Sequence, residues 1–164
     1  GMVNRESQTL IHIFEFAGKY LGVIFERLRS MKIFKNIPLF QLLLYLVALH
    51  SFCVGIALIV LPFGVLSWFG FTVDPYRFFS TQGGVFHVVM SIGYLLAAKN
   101  PLAEKSLIIF IILAKWIAFF FLGFYFLFSE TVPVIAISAV SDGLMGFLVM
   151  MFFLELFTEE KTGD

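Results

Sequence analysis

The chain has 164 residues, of which 60% are hydrophobic and only 13% charged, and its mean hydropathy is +0.99. A soluble domain averages about 45–50% apolar and about 25% charged residues. Composition therefore excludes an ordinary soluble fold, a disordered chain and a nucleic-acid binder, which would need a basic patch. Lys+Arg and Asp+Glu balance at 11 each, so net charge names no partner, and the single cysteine excludes a disulfide framework or a zinc site built on several thiolates.

The first predicted element is an amphipathic helix over residues 7–34. Gln8, His12, Glu15, Lys19, Gly22, Glu26 and Arg29 recur every three or four residues as one polar stripe, and Ile13, Phe16, Tyr20, Leu21, Ile24 and Leu28 fill most of the rest. Such a helix lies on the inner leaflet rather than across it. Its interior charges argue against a signal peptide.

Four membrane spans follow, at roughly 38–61, 79–98, 106–128 and 134–157. No charged residue falls between Lys35 and Asp74 or between Arg77 and Lys99; Lys105 to Glu130 is broken only by Lys115, and Glu130 to Glu155 only by Asp142. Each interval meets the ~20 residues a helix needs to cross a hydrocarbon core of ~30 Å. The runs are too long and too unalternating for barrel strands. The expected fold is all-α: an integral membrane four-helix bundle over 37–158, preceded by the cytoplasmic-face helix of 1–36 and followed by a short polar tail, 159–164.

Basic residues set the orientation. Arg5, Lys19, Arg27, Arg29, Lys32, Lys35, Lys99, Lys105 and Lys161 fall on one side, and only Arg77 on the other. Positive charge stays cytoplasmic, so both termini are expected inside a bacterial cytoplasmic membrane, with Asp74 and Glu130 outside. The outer segment 62–80 carries Pro62, Gly64, Gly70 and Pro75, which interrupt regular structure, and Trp68 and Tyr76, which suit an interface. Asn100-Pro101 reads as a tight inner break and Pro133 as the first turn of the last helix.

Ionisable groups inside a span are costly and default to a functional hypothesis. His50, His87, Lys115 and Asp142 are the four, all about 14–20 Å above the cytoplasmic end at ~1.5 Å per residue, near mid-membrane. Lys115 and Asp142 are the expected pair, because consecutive helices joined by a short loop are neighbours. Ser138, Asp142 and Gly146 form a small-residue row that lets helices approach. The pair reads either as a proton or ligand site or as an ion pair fixing helix register. On the second span Ser80, Gly84, His87, Ser91, Tyr94 and Ala98 make one face of small and polar residues. That face suits a ligand pocket, or tight packing with serine back-bonding. His50 lies roughly opposite the Gln41–Tyr45–Ala48–Gly55 face of the first span, with Cys53 and Ala57. Cys53 has no partner thiol and reads as a buried, inert cysteine.

No CxxC, HExxH, GxSxG or phosphate loop occurs, and no carboxylate cluster for a metal. No nucleophile–base set can be named, so no catalytic residue is expected.

The run QGGVFHVVMSIGYLLAAKNP, the isolated Lys115 and the isolated Asp142 resemble the small four-helix bacterial membrane proteins grouped as DoxX-like. The resemblance covers roughly residues 38–157, and its motifs are of low specificity; the long N-terminal segment departs from the group's short pattern. It implies a four-helix membrane fold and, since some members are described as small subunits of quinone-linked oxidoreductases, a redox-accessory role.

Three functions are compatible with these residues. The first is a non-enzymatic binding or accessory protein that holds an apolar ligand, a lipid or a quinone-like carrier, at Lys115 and Asp142, with His87, Ser91, Tyr94 and Ser138 beside them. The second is a redox subunit, haem- or quinone-linked, using His50 and His87, with haem as the cofactor the histidine pair would ligate. The third is a proton-coupled or ion-conducting homo-oligomer. Expected partners are membrane lipid, the small ligand, and a membrane partner protein or further copies of the chain.

Overall fold

The computed structural model describes residues 36–69, 77–129 and 131–158, with residues 16, 18–20, 22, 23 and 27 of the N-terminal segment. Those seven are helical. Most of the predicted amphipathic stripe lies outside the described residues, as do Asp74, Pro75, Tyr76, Glu130 and the tail 159–164.

The described residues form an all-helical protein with four helices long and apolar enough to cross a membrane. They are α1 (Ile37–Val60), α2 (Phe78–Lys99), α3 (Lys105–Phe128) and α4 (Pro133–Thr158). Their bounds lie within two residues of the spans expected from charge placement. The agreement has a physical cause: a charged side chain in lipid costs several kcal/mol, so charges gather where helices leave the membrane. After α1 the described residues 61–69 are more regular than Pro62 and Gly64 suggest. A short helix, Phe63–Leu66, runs into a 3₁₀ turn, Ser67–Phe69, closed by Ser67 Oγ donating to the Gly64 carbonyl at 2.9 Å. Trp68 on that turn is exposed.

The helix ends are closed by side chains. Asn36 caps α1, its Oδ1 accepting from the Leu39 N–H at 3.1 Å, and Pro38 sits in the first turn, where its missing N–H costs nothing. Replacing Asn36 with alanine is expected to cost about 1 kcal/mol, read as an earlier unfolding midpoint in an SDS titration of mixed micelles. At the other end of α1, Arg77 Nη2 donates to the Ile59 and Leu61 carbonyls at 3.0 and 2.9 Å, tying that end to the start of α2. The Arg77 guanidinium also favours the negative end of the α1 dipole. Where α1 begins and α2 ends, Gln41 Nε2 donates to the Lys99 carbonyl at 3.2 Å. The Asn100-Pro101 break is as expected, with Pro101 fully buried.

Two antiparallel hairpins make the bundle. α1 packs along α2 and α3 along α4, while the hairpins touch each other far less. Where they meet, the Phe40 and Phe152 rings stack with centroids 5.1 Å apart. The buried apolar cluster is confined to one half of the bundle. It draws Phe40, Leu44, Val47 and Ala48 from the first half of α1 and Tyr94, Ala97 and Ala98 from the last half of α2. Ile108 and Ile111 come from the first half of α3, and Val149, Met151 and Phe152 from the last half of α4. Because neighbouring helices run antiparallel, all of these lie toward the end that carries the Asn100-Pro101 turn. Beyond mid-helix each hairpin stays closed within itself, but among the described residues no buried apolar layer joins the two.

Candidate functional site

His50, His87, Lys115 and Asp142 lie where this packed half ends. Lys115 and Asp142 form an ion pair, Nζ to Oδ1 2.6 Å, with side chains only 4% and 10% exposed. Small residues of α4 bring the partners together. A Cβ built on Gly146 would stand 3.0 Å from the Lys115 Cβ, and one on Gly143 would stand 2.7 Å from the Phe119 ring. Gly146 is one turn from Asp142 and Phe119 one turn from Lys115, so the close approach of α3 and α4 sets the length of the ion pair. The Lys115 ammonium also lies 5.7 Å from the centre of the Tyr94 ring, a cation–π contact that links α3 to α2.

The second span turns its small and polar face inward, as its spacing predicts. Gly84, Ser91, Tyr94 and Ala98 are buried and Ser80 and His87 half-buried. His87 is held from α1: Ser51 Oγ lies 3.2 Å from His87 Nδ1 and donates to the His87 carbonyl, also at 3.2 Å. A hydroxyl carries one proton. With that proton on the carbonyl, the sense of the ring contact is set by the histidine tautomer.

These groups wall a cavity of about 150 Å³ between α2 and α3. Ser51, His87, Tyr94, Lys115 and Asp142 give it a polar wall, and Phe86, Met90, Ala114 and Ala118 an apolar one. Polar capacity is left over inside. Lys115 has three N–H donors, one committed to Asp142. The Tyr94 hydroxyl and the second Asp142 oxygen make no hydrogen bond among the described residues. These uncommitted polar atoms border the open volume of the cavity.

Of the residues expected at the site, Lys115, Asp142, His87 and Tyr94 converge on this cavity. Ser91 and Ser138 do not line it. Ser91 is spent on its own helix, Oγ donating to the Val88 carbonyl at 2.7 Å, and Ser138 is half-buried one turn before Asp142. His50 is half-buried outside the cavity wall, and its Nδ1 is buried without a hydrogen-bond partner. Cys53, expected to be buried, is exposed on the same side of α1 as His50, because that side does not face α2 or the other hairpin. Ser51 belongs to the site and stands out in the sequence only as the neighbour of His50. Glu155, which marks the end of the last charge-free interval, is itself 8% exposed and thus buried within α4. Among the described residues no group of three metal-ligating side chains occurs.

α1 and α2 meet backbone to backbone. A Cβ on Gly55 would stand 2.8 Å from the Gly84 carbonyl oxygen, and one on Gly84 2.7 Å from that of Gly55. The crossing lies about one turn from His50 and His87, and it closes the gap between the two helices that carry them. No family model matches the chain, and no curated protein or solved structure matches it.

Proposed function

We propose that this protein is a binding or accessory protein of the bacterial cytoplasmic membrane, with both termini inside. It holds one neutral apolar ligand, a lipid or a quinone-like carrier, by a polar group set against Lys115 and Asp142. One observation carries this reading: a cavity at mid-bundle whose polar wall retains uncommitted donors and an acceptor. Paired ions at that depth could have been sealed in apolar packing; here they face open space beside a tyrosine and a histidine. The resemblance to DoxX-like proteins, with their quinone-linked subunits, points the same way. A haem on His50 and His87 is not preferred, because the Gly55–Gly84 contact leaves no slot for a macrocycle between α1 and α2.

The test is mass spectrometry of what co-purifies. Wild-type protein and the K115M/D142L double variant, extracted from the same membranes, are stripped of lipid and their extracts compared. The expected result is a neutral apolar species retained near one per chain by the wild type and absent from the variant. Identical profiles would overturn the reading.

A further inference from the structure

The wall of the cavity is not uniform, and its weak side faces the membrane. Ser51, Tyr94, Lys115 and Asp142 are all buried. On the opposite side Phe86 is 61% exposed, and Met90, Ala114 and Ala118 are half-buried. Phe86 and Met90 are one turn apart on α2, and Ala114 and Ala118 one turn apart on α3, so each pair shares a helix face. Two large, flexible or exposed side chains therefore stand across from two of the smallest. Both pairs lie near mid-helix, away from either end of the bundle. Among the described residues the hairpins also share no buried apolar layer beyond this level.

Resting on the ligand-site reading above, we infer that the seam between α2 and α3 is a lateral doorway. Through it a bilayer-dissolved amphiphile inserts a neutral, single-ring head bearing acceptor oxygens, while its tail stays in lipid. Three observations fix the class. The volume, about 150 Å³, is that of a cavity that takes one benzene-sized ring. The free hydrogen-bonding capacity of the wall includes donors, from Lys115 and Tyr94, which carbonyl or ether oxygens would match. Lys115 and Asp142 already cancel each other, so an ionic head would bring an uncompensated charge into the membrane interior, and a neutral one does not.

The probe is a decyl-tailed benzoquinone, added to protein in phosphatidylcholine nanodiscs. The W68F background leaves Trp116, next to Lys115 on α3, as the reporting indole. Quenching of Trp116 is expected to saturate near one quinone per chain, and decylbenzene, which has the tail and ring but no oxygen, is expected not to compete. In stopped flow A118L should slow association at least tenfold. F86A, which trims an exposed side chain and leaves the core intact, should speed it several-fold. Absence of saturable quenching in W68F would overturn the ligand-site reading itself. Saturable quenching with association rates unchanged in both A118L and F86A would overturn the doorway alone. Competition by decylbenzene equal to that of the quinone would overturn the oxygen-bearing head.

Discussion

Replacing Lys115 with methionine, or Asp142 with leucine, is expected to lower stability by about 3–5 kcal/mol, whereas the double replacement should fall within about 2 kcal/mol of the wild type. The asymmetry follows from what each single change leaves behind. The Nζ–Oδ1 distance is 2.6 Å and the side chains are 4% and 10% exposed, so either partner alone is an ion with almost no solvent. Insertion scales set the cost of such an ion at mid-helix at about 2.5–3.5 kcal/mol. The survivor has little to turn to: the Tyr94 ring offers Lys115 a π face, and Ser51 is already engaged with His87. The double variant removes both ions and fills similar volume with apolar atoms. An SDS titration of mixed micelles on all four proteins gives the coupling energy directly. Additive losses would mean that the pair is not an energetic unit. The same double variant is the one expected to lose its ligand, so stability and binding should separate in it: a well-folded protein with an empty site. That separation would distinguish a functional pair from one that only fixes helix register.

The spans were legible because lipid enforces a simple rule: charges are expelled to the ends, and the described helices keep within two residues of the bounds expected from the charge-free intervals. Lys115 and Asp142 were legible for the converse reason. A charge that stays in a span must find its opposite, and similar depth on consecutive helices left one pairing. Faces were harder to read. On α2 the small and polar stripe was nearly continuous and turned inward as a unit. On α1 the polar residues are scattered around the helix, and the choice of buried face was made by Gly55, which allows α2 to approach. That approach points Ser51 at His87 and leaves His50 outside the cavity wall. A serine beside a histidine gives no sign of which one the packing will select, because adjacent residues differ by about 100° around a helix of 3.6 residues per turn. Ser91 illustrates a different limit. It has the right face and depth, but a hydroxyl can satisfy itself on its own helix, and it does so at the Val88 carbonyl.

Gly83 and Gly84 stand side by side in α2, and substitution by alanine should affect them in opposite directions. A Cβ on Gly83 meets nothing within 4 Å, so alanine there only gains helix propensity, up to about 1 kcal/mol. A Cβ on Gly84 would stand 2.7 Å from the Gly55 carbonyl oxygen and equally close to the Ile59 side chain. The Ile59 atom could move aside; the carbonyl belongs to the α1 backbone and could not, so the helices would have to part. Overpacking of this kind costs about 1–3 kcal/mol, more than the propensity gained, and G84L should go beyond G84A. Gly55→Ala should behave like G84A, since its Cβ meets the Gly84 carbonyl oxygen at 2.8 Å. SDS unfolding midpoints for G83A, G84A and G55A check this, and equal midpoints for G83A and G84A would refute the close crossing. The consequence reaches the site. Ser51 is four residues from Gly55 and His87 three from Gly84, so the crossing sets the register in which Ser51 reaches His87. Parting the helices at the glycines should loosen that bond first, and G84A should therefore bind the quinone probe more weakly than G83A even where both proteins remain folded.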